Sequence, residues 1–421
     1  RRGNGGMAGV VFPGGNDYTK DAISQDARRK QRGASMDTQS ERIIYLDHAA
    51  TSWPKPPGVI EAMVDAMTRD GANPGRGSHR MAVNAGRIVF EARKALAELF
   101  RIANPNDIAL TFNTTIALNM AIKGCLKPGD HVVATAVEHN AVRRPLEHLK
   151  RTIGVKVTYV ETDERGRLDP TRVREALLPD TKLVIVNHSS NLLGSILPVA
   201  EIGTMTRKRG IRLLVDAAQS AGILPIDVEA MGIDLLAFPG HKGLLGPQGT
   251  GGLYIHPEVN LEPILHGGTG SQSEAAEQPD VRPDRYESGT VNTPGLAGLA
   301  AGVRYILHET VEKIYNKEWS LAQRLMEGLS AIGNVRVLGP EPGEPRTGIV
   351  SFIIGSADPS ETAFILDRHY GIAVRAGFHC TPLAHGTAGT AATGAVRASV
   401  GHSTTEADVD ALIAAAKEIS R

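Results

Sequence analysis

The stretch "FPGHKGLL", residues 238–245, places one amine in otherwise apolar surroundings. A lysine on a surface needs no explanation, but Lys242 follows the strand-like "DLLAF" and the turn "PGH". A partly desolvated amine at a strand end loses basicity and can form an imine with an aldehyde. Twenty-six residues upstream, "LLVDAAQSAG" ends an apolar run on Asp216, with Gln219 three residues later. A buried carboxylate needs a partner. Asp216 suits either a helix N-cap or the task of holding a ring nitrogen protonated. Sulfur supplies a second chemistry. Cys380 lies in the loop-like "RAGFHCTPLAHG", where Arg375 and His379 can favour the nucleophilic thiolate. Cys125, inside a helical apolar pattern, reads as a small core hydrophobe.

An imine-forming lysine with an acid facing a pyridinium nitrogen is the pair that pyridoxal 5'-phosphate requires. The elements that must position such a pair are legible as alternation. From about residue 107, apolar runs ("DIALTF", "HVVATAV", "VKVTYVE", "TKLVIVN", "RLLVDAA", "DLLAFPG", "GGLYI") are separated by segments of helical spacing. This pattern predicts an α/β fold with a mainly parallel seven-stranded sheet. Ligands of such sheets bind beyond the carboxyl ends of the strands, where Asp216 and Lys242 stand. After residue 300, "LAGLAAGVRYILHETVEKIYNKEWSLAQRLMEGLSAI" reads as one long helix. "TGIVSFII" and "IAVRAG" read as strands, and "EADVDALIAAAKEI" as a final helix. The expected organisation is a large domain over 41–300 and a smaller α+β domain over 301–421.

Residues 1–40, rich in Gly, Ser, Asp and Arg without apolar period, read as a disordered extension, with Met36 a sensible start. Lys+Arg and Asp+Glu balance at 46 each, so nothing points to nucleic acid or an anionic membrane surface. Two cysteines make no disulfide framework, and a reducing cytoplasmic setting is expected. No apolar run reaches membrane-spanning length, and no metal motif is present.

The order of the motifs "YLDHAATSWPKP", "NPGRGSHRMA", "AVEHNAVRRPL", "NHSSNLLGSILPV", "VDAAQSAG", "GHKGLLGPQGTGGLYI", "ESGTVNTPGLAGL" and "VRAGFHCTPLAH" resembles class V aminotransferase-fold enzymes of the cysteine desulfurase type. The resemblance runs from about residue 43 to the end. It implies a fold type I, pyridoxal phosphate-dependent enzyme with Lys242 as the cofactor lysine and Asp216 on the ring nitrogen. It implies phosphate binding by Thr114, Thr115 and His241, with Thr290 reaching across from the second subunit of a homodimer. His139 is expected to stack on the ring and help move protons, and Gln219 to bond the phenolic oxygen. Asn191 and Arg397 are implied as ligands of the substrate carboxylate, with Arg375 near the same loop. Cys380 is implied as the nucleophile that takes sulfur from L-cysteine, leaving L-alanine, before transfer to an acceptor.

One position departs from the pattern. Many relatives carry a hydroxyl residue two before the histidine of "GHK"; here it is Pro239. Weaker cofactor retention is therefore expected. "TPLAHGTAGTAATGAV" reads as an arm for Cys380, although the short spacing from Arg375 resembles relatives with a restrained loop. The same machinery would serve a selenocysteine lyase. Another class V aminotransferase or lyase, or a scaffold of this fold without activity, is the remaining alternative.

Overall fold

The computed structural model describes residues 43–75 and 77–421, and the expected extension over 1–40 lies outside them. The alternating runs become strands. β1 is Ile44–Tyr45, β2 Ile108–Thr111, β3 His131–Thr135, β4 Lys156–Val160, β5 Thr181–Asn187, β6 Arg212–Asp216, β7 Leu235–Pro239 and β8 Gly251–Ile255. Strands β2 to β8 form a seven-stranded sheet in the order β2-β8-β7-β6-β5-β3-β4. Only β8 runs against its neighbours, while β3 to β7 pair in parallel. Strands β3, β6, β7 and β8 are apolar nearly throughout because helices cover both faces. The fold class predicted from alternation is the one observed.

The chain continues through β9 (Val335–Leu338), β10 (Ile349–Ile354), β11 (Ile372–Ala373), β12 (Arg375–Gly377) and β13 (Ala395–Ser399). Four of these make an antiparallel sheet, β12-β13-β10-β9, while β11 pairs with β1. The N-terminal strand is thus stitched to the last third of the chain. A further bridge joins Asp47 to Ser399.

The one long helix expected of the stretch "LAGLAAGVRYILHETVEKIYNKEWSLAQRLMEGLSAI" is two helices, Thr293–Glu309 and Val311–Ser330. Thr310 breaks it. Its backbone turns left-handed (φ 71°), and its hydroxyl accepts from the Lys313 amide to cap the second helix. The supposed arm after Cys380 is likewise ordered. Pro382–Thr387 is a short helix, Thr381 and His385 are fully enclosed, and His385 Nδ1 lies 2.8 Å from Thr390 Oγ1.

Candidate functional site

Each strand end delivers one part of the site. After β2, Asn113 caps the helix Thr114–Cys125 by accepting from the Ile116 amide. The first turn of that helix therefore presents free N–H groups and the Thr114 hydroxyl, whose oxygen is buried without a partner among the described residues. After β3, His139 caps the helix Asn140–Ile153. Its Nδ1 accepts from the Ala141 amide at 3.0 Å, so the ring proton sits on Nε2. Burial, with Lys242 and Arg375 adding, lowers the His139 pKa to about 4, and the ring is neutral. After β6, Asp216 accepts from the Ala218 amide at 2.9 Å. Burial raises its pKa, while that amide and the Lys242 charge oppose the rise.

Lys242 follows β7. Gly222 (φ 80°) and Gly243 bring the turns after β6 and β7 into backbone contact, since a Cβ on Gly222 would lie 2.4 Å from the Gly243 carbonyl. Burial pushes the Lys242 amine down to about 8; Arg397 and Arg375 push the same way, and Asp216 opposes. The His241 carbonyl is held by the Ser52 amide (3.0 Å), the Thr51 and Ser52 hydroxyls and Lys55 Nζ (each 3.1 Å). Together these elements line a cleft of about 120 Å³. Thr114, Thr115, His139, Asn191, Asp216, Gln219, Pro239, His241 and Lys242 all line it.

The other expected residues sit at its margin. Arg397 on β13 is fully buried. It donates to Asp47 Oδ1 and to the Asn191 carbonyl, both at 3.0 Å, and its Nε has no partner among the described residues. Arg375 on β12 faces Arg397 across the strand pair and reaches Cys380 Sγ at 3.7 Å. Cys380 is exposed, whereas Cys125 packs against the core and burial pushes its thiol up to about 11. His379 and Cys380 are consecutive left-handed residues (φ 47° and 60°), a conformation that costs energy unless the surroundings enforce it. Here the Asn140 amide donates to the Cys380 carbonyl (2.8 Å), Asn191 Nδ2 to the His379 carbonyl (2.7 Å), and the Thr381 hydroxyl to the Glu138 carbonyl (3.1 Å).

One expectation changes. His379 does not supply charge to the thiol: its Nε2 lies 3.0 Å from the Ala395 carbonyl, and burial lowers its pKa to about 3. Thr290 is exposed beside Asn73 and does not line the Lys242 cleft of its own chain. Two partners escaped the sequence reading. Asp47 neutralises Arg397 from 350 residues away. Glu138 is buried and pushed up to about 8 by burial; it accepts from the Thr135 hydroxyl and the Asn187 amide. A carboxyl immediately before His139 was the available signal for Glu138.

The cleft suits the cofactor expected from Lys242 and Asp216. An orphaned threonine hydroxyl and free helix N–H groups fit a phosphate, and a buried acid beside an amine fits a ring nitrogen and an aldehyde. Pro239 lines this cleft without hydroxyl or N–H. A Pro239→Ser variant is expected to hold pyridoxal phosphate about tenfold more tightly, the worth of one hydrogen bond to a charged group. Cofactor remaining after dialysis measures this, and equal retention would refute it.

The class-V aminotransferase family model matches residues 44–412. A probable cysteine desulfurase of Methanothermobacter thermautotrophicus is 37% identical over 391 residues, 90% of this chain and 94% of that protein. A cysteine desulfurase of Haloferax volcanii is 34% identical over 410 residues, 93% and 95% of the two chains. Among solved structures, the apo cysteine desulfurase of Thermococcus onnurineus NA1 superposes with a TM-score of 0.85 at 35% identity, covering 98% of this chain and 99% of its own.

Proposed function

Taking as premise that this chain belongs to the class V aminotransferase family, in its cysteine desulfurase group, we propose that it converts L-cysteine to L-alanine and carries the sulfur as a persulfide on Cys380. The observation that carries this reading is the exposed Cys380 thiol. It is held beside Arg375 by three hydrogen bonds that join its loop to the Asn191 side chain and to the backbone of Glu138 and Asn140, on either side of His139.

Pyridoxal phosphate, when bound, supplies an aldehyde that links to amines and an electron sink for a carbanion at Cα. Asp216 would hold its ring nitrogen protonated, and Gln219 would face its phenolic oxygen. Thr114, Thr115 and His241 would hold the phosphate. Arg397 offers an unpaired Nε toward the substrate carboxylate, with Asn191 beside it. The Lys242 amine moves the Cα proton, since burial leaves much of it neutral near pH 8. The neutral His139 ring can donate from Nε2 or hand a proton on. The Cys380 thiolate attacks the substrate sulfur. Its new S–S bond forms as the Cβ–S bond breaks, and protons return to the carbon skeleton. Cysteine and a thiol become alanine and a persulfide, with no external oxidant or reductant.

In this reading residues 41–300 hold the cofactor and 301–421 carry Cys380. The position of Thr290 supports a homodimer in which it serves the partner's phosphate site. Among the described residues no helix is long and apolar enough to cross a membrane. We place the enzyme in the cytoplasm, delivering sulfur to an acceptor protein. The test is alanine and sulfide formation from L-cysteine. Turnover of L-selenocysteine alone would assign a selenocysteine lyase instead. Amino transfer to a keto acid without sulfide would assign an aminotransferase.

A further inference from the structure

Arg346 is fully buried and, with Arg397, heads the largest enclosed side chains. Among the described residues its guanidinium meets no carboxylate. Nε donates to the Ile349 carbonyl (3.1 Å), Nη1 to Pro340 (2.9 Å), and Nη2 to Leu193 (3.1 Å) and Leu338 (3.4 Å). Burial lowers its pKa to about 9. A buried cation without a counter-ion is costly, and a hydrocarbon side chain would fill such a space with less penalty. A core-filling role therefore does not explain it.

Its partners do. Three of the carbonyls belong to its own neighbourhood around β9 and β10. The fourth, on Leu193, belongs to the loop that follows β5 and lies two residues from Asn191. The adjacent carbonyls of that loop are also taken: Leu192 by the Ser351 hydroxyl (2.6 Å) and Gly194 by the Thr347 amide (3.0 Å). Three successive carbonyls are thus fixed from one side. Two left-handed glycines permit the contact. A Cβ on Gly339 (φ 90°) would lie 2.1 Å from the Leu193 oxygen, and one on Gly194 (φ 69°) 2.8 Å from that of Ile349. Asn191, at the start of this fixed loop, gives its carbonyl to Arg397 and its Nδ2 to the Cys380 loop, while its Oδ1 is buried without a partner among the described residues.

We infer that Arg346 is a positioning residue: with Ser351 it clamps the 192 and 193 carbonyls, and so sets the angle at which Asn191 meets the carboxylate of an amino-acid substrate. This rests on the proposed function for the identity of that substrate. The guanidinium is required for its fork, which spans carbonyls that no single ammonium reaches together.

The test compares wild type with Arg346→Lys and Ser351→Ala holoenzymes. The serine variant removes one hydroxyl and is the arm to rely on if the lysine variant does not fold. For L-cysteine, KM is expected to rise about tenfold with kcat little changed, the pattern of a lost substrate-binding contact. Binding of L-cysteine, followed by the cofactor's visible absorbance, should weaken by a similar factor, while that of cysteamine, its decarboxylated analogue, should not. In cofactor-free protein, backbone hydrogen exchange at 191–194 should quicken. Equal weakening of both ligands, or a fall in kcat with KM unchanged, would overturn the clamp. Failure of wild type to desulfurate cysteine would count against the proposed reaction alone. The clamp would then be decided by alanine against ethylamine binding and by the exchange rates.

Discussion

A Lys242→Ala protein is expected to turn over L-cysteine about a thousandfold to ten-thousandfold more slowly than wild type, the scale of losing a positioned proton-transfer group. The loss should persist with pyridoxal phosphate in excess, because the variant lacks both the amine that links to the aldehyde and the base at Cα. The pH dependence of cofactor uptake gives an independent reading. Burial sets the Lys242 pKa near 8, and only the neutral amine attacks an aldehyde. Uptake by cofactor-free wild type should therefore quicken as pH rises and level off above about 8. Borohydride reduction followed by peptide mapping should find the pyridoxyl group on residue 242. An adduct on another lysine, with activity kept in Lys242→Ala, would overturn the assignment.

The Cys380→Ala protein should separate cofactor chemistry from sulfur chemistry. Its cofactor content and visible spectrum are expected to match wild type, because Cys380 does not line the Lys242 cleft. Sulfide release should fall about a thousandfold or more, as when a nucleophile is removed. Mass spectrometry of wild type after L-cysteine treatment should find one added sulfur atom on the peptide carrying residue 380. Cys125→Ala, altered only in the core, should turn over normally. Undiminished sulfide from Cys380→Ala would leave the lysine chemistry intact and remove the persulfide.

How far these residues could be read in advance depends on the range of the forces that place them. Asp216, Lys242 and Thr114 stand just beyond apolar runs, and a parallel sheet brings such positions to one edge whatever the detailed packing. Their convergence is a local signal repeated. The break at Thr310 was hidden because both sides of it have helical spacing, and one residue in a left-handed conformation leaves no trace in periodicity. Asp47 and Arg346 were missed for a different reason. Their significance lies in Arg397 and Leu193, 350 and 153 residues away, and nothing in the neighbouring sequence reports such a partner.

The salt link from Asp47 to Arg397 also constrains the order of events on the ribosome. Translation yields the carboxylate 350 residues before the guanidinium, so the aspartate has no cation of this pair to meet until the intervening chain has emerged. Contacts this distant in sequence close slowly, and a nascent chain halted before residue 397 would carry Lys242 and Asp216 with the Asn191 carbonyl not yet held by Arg397.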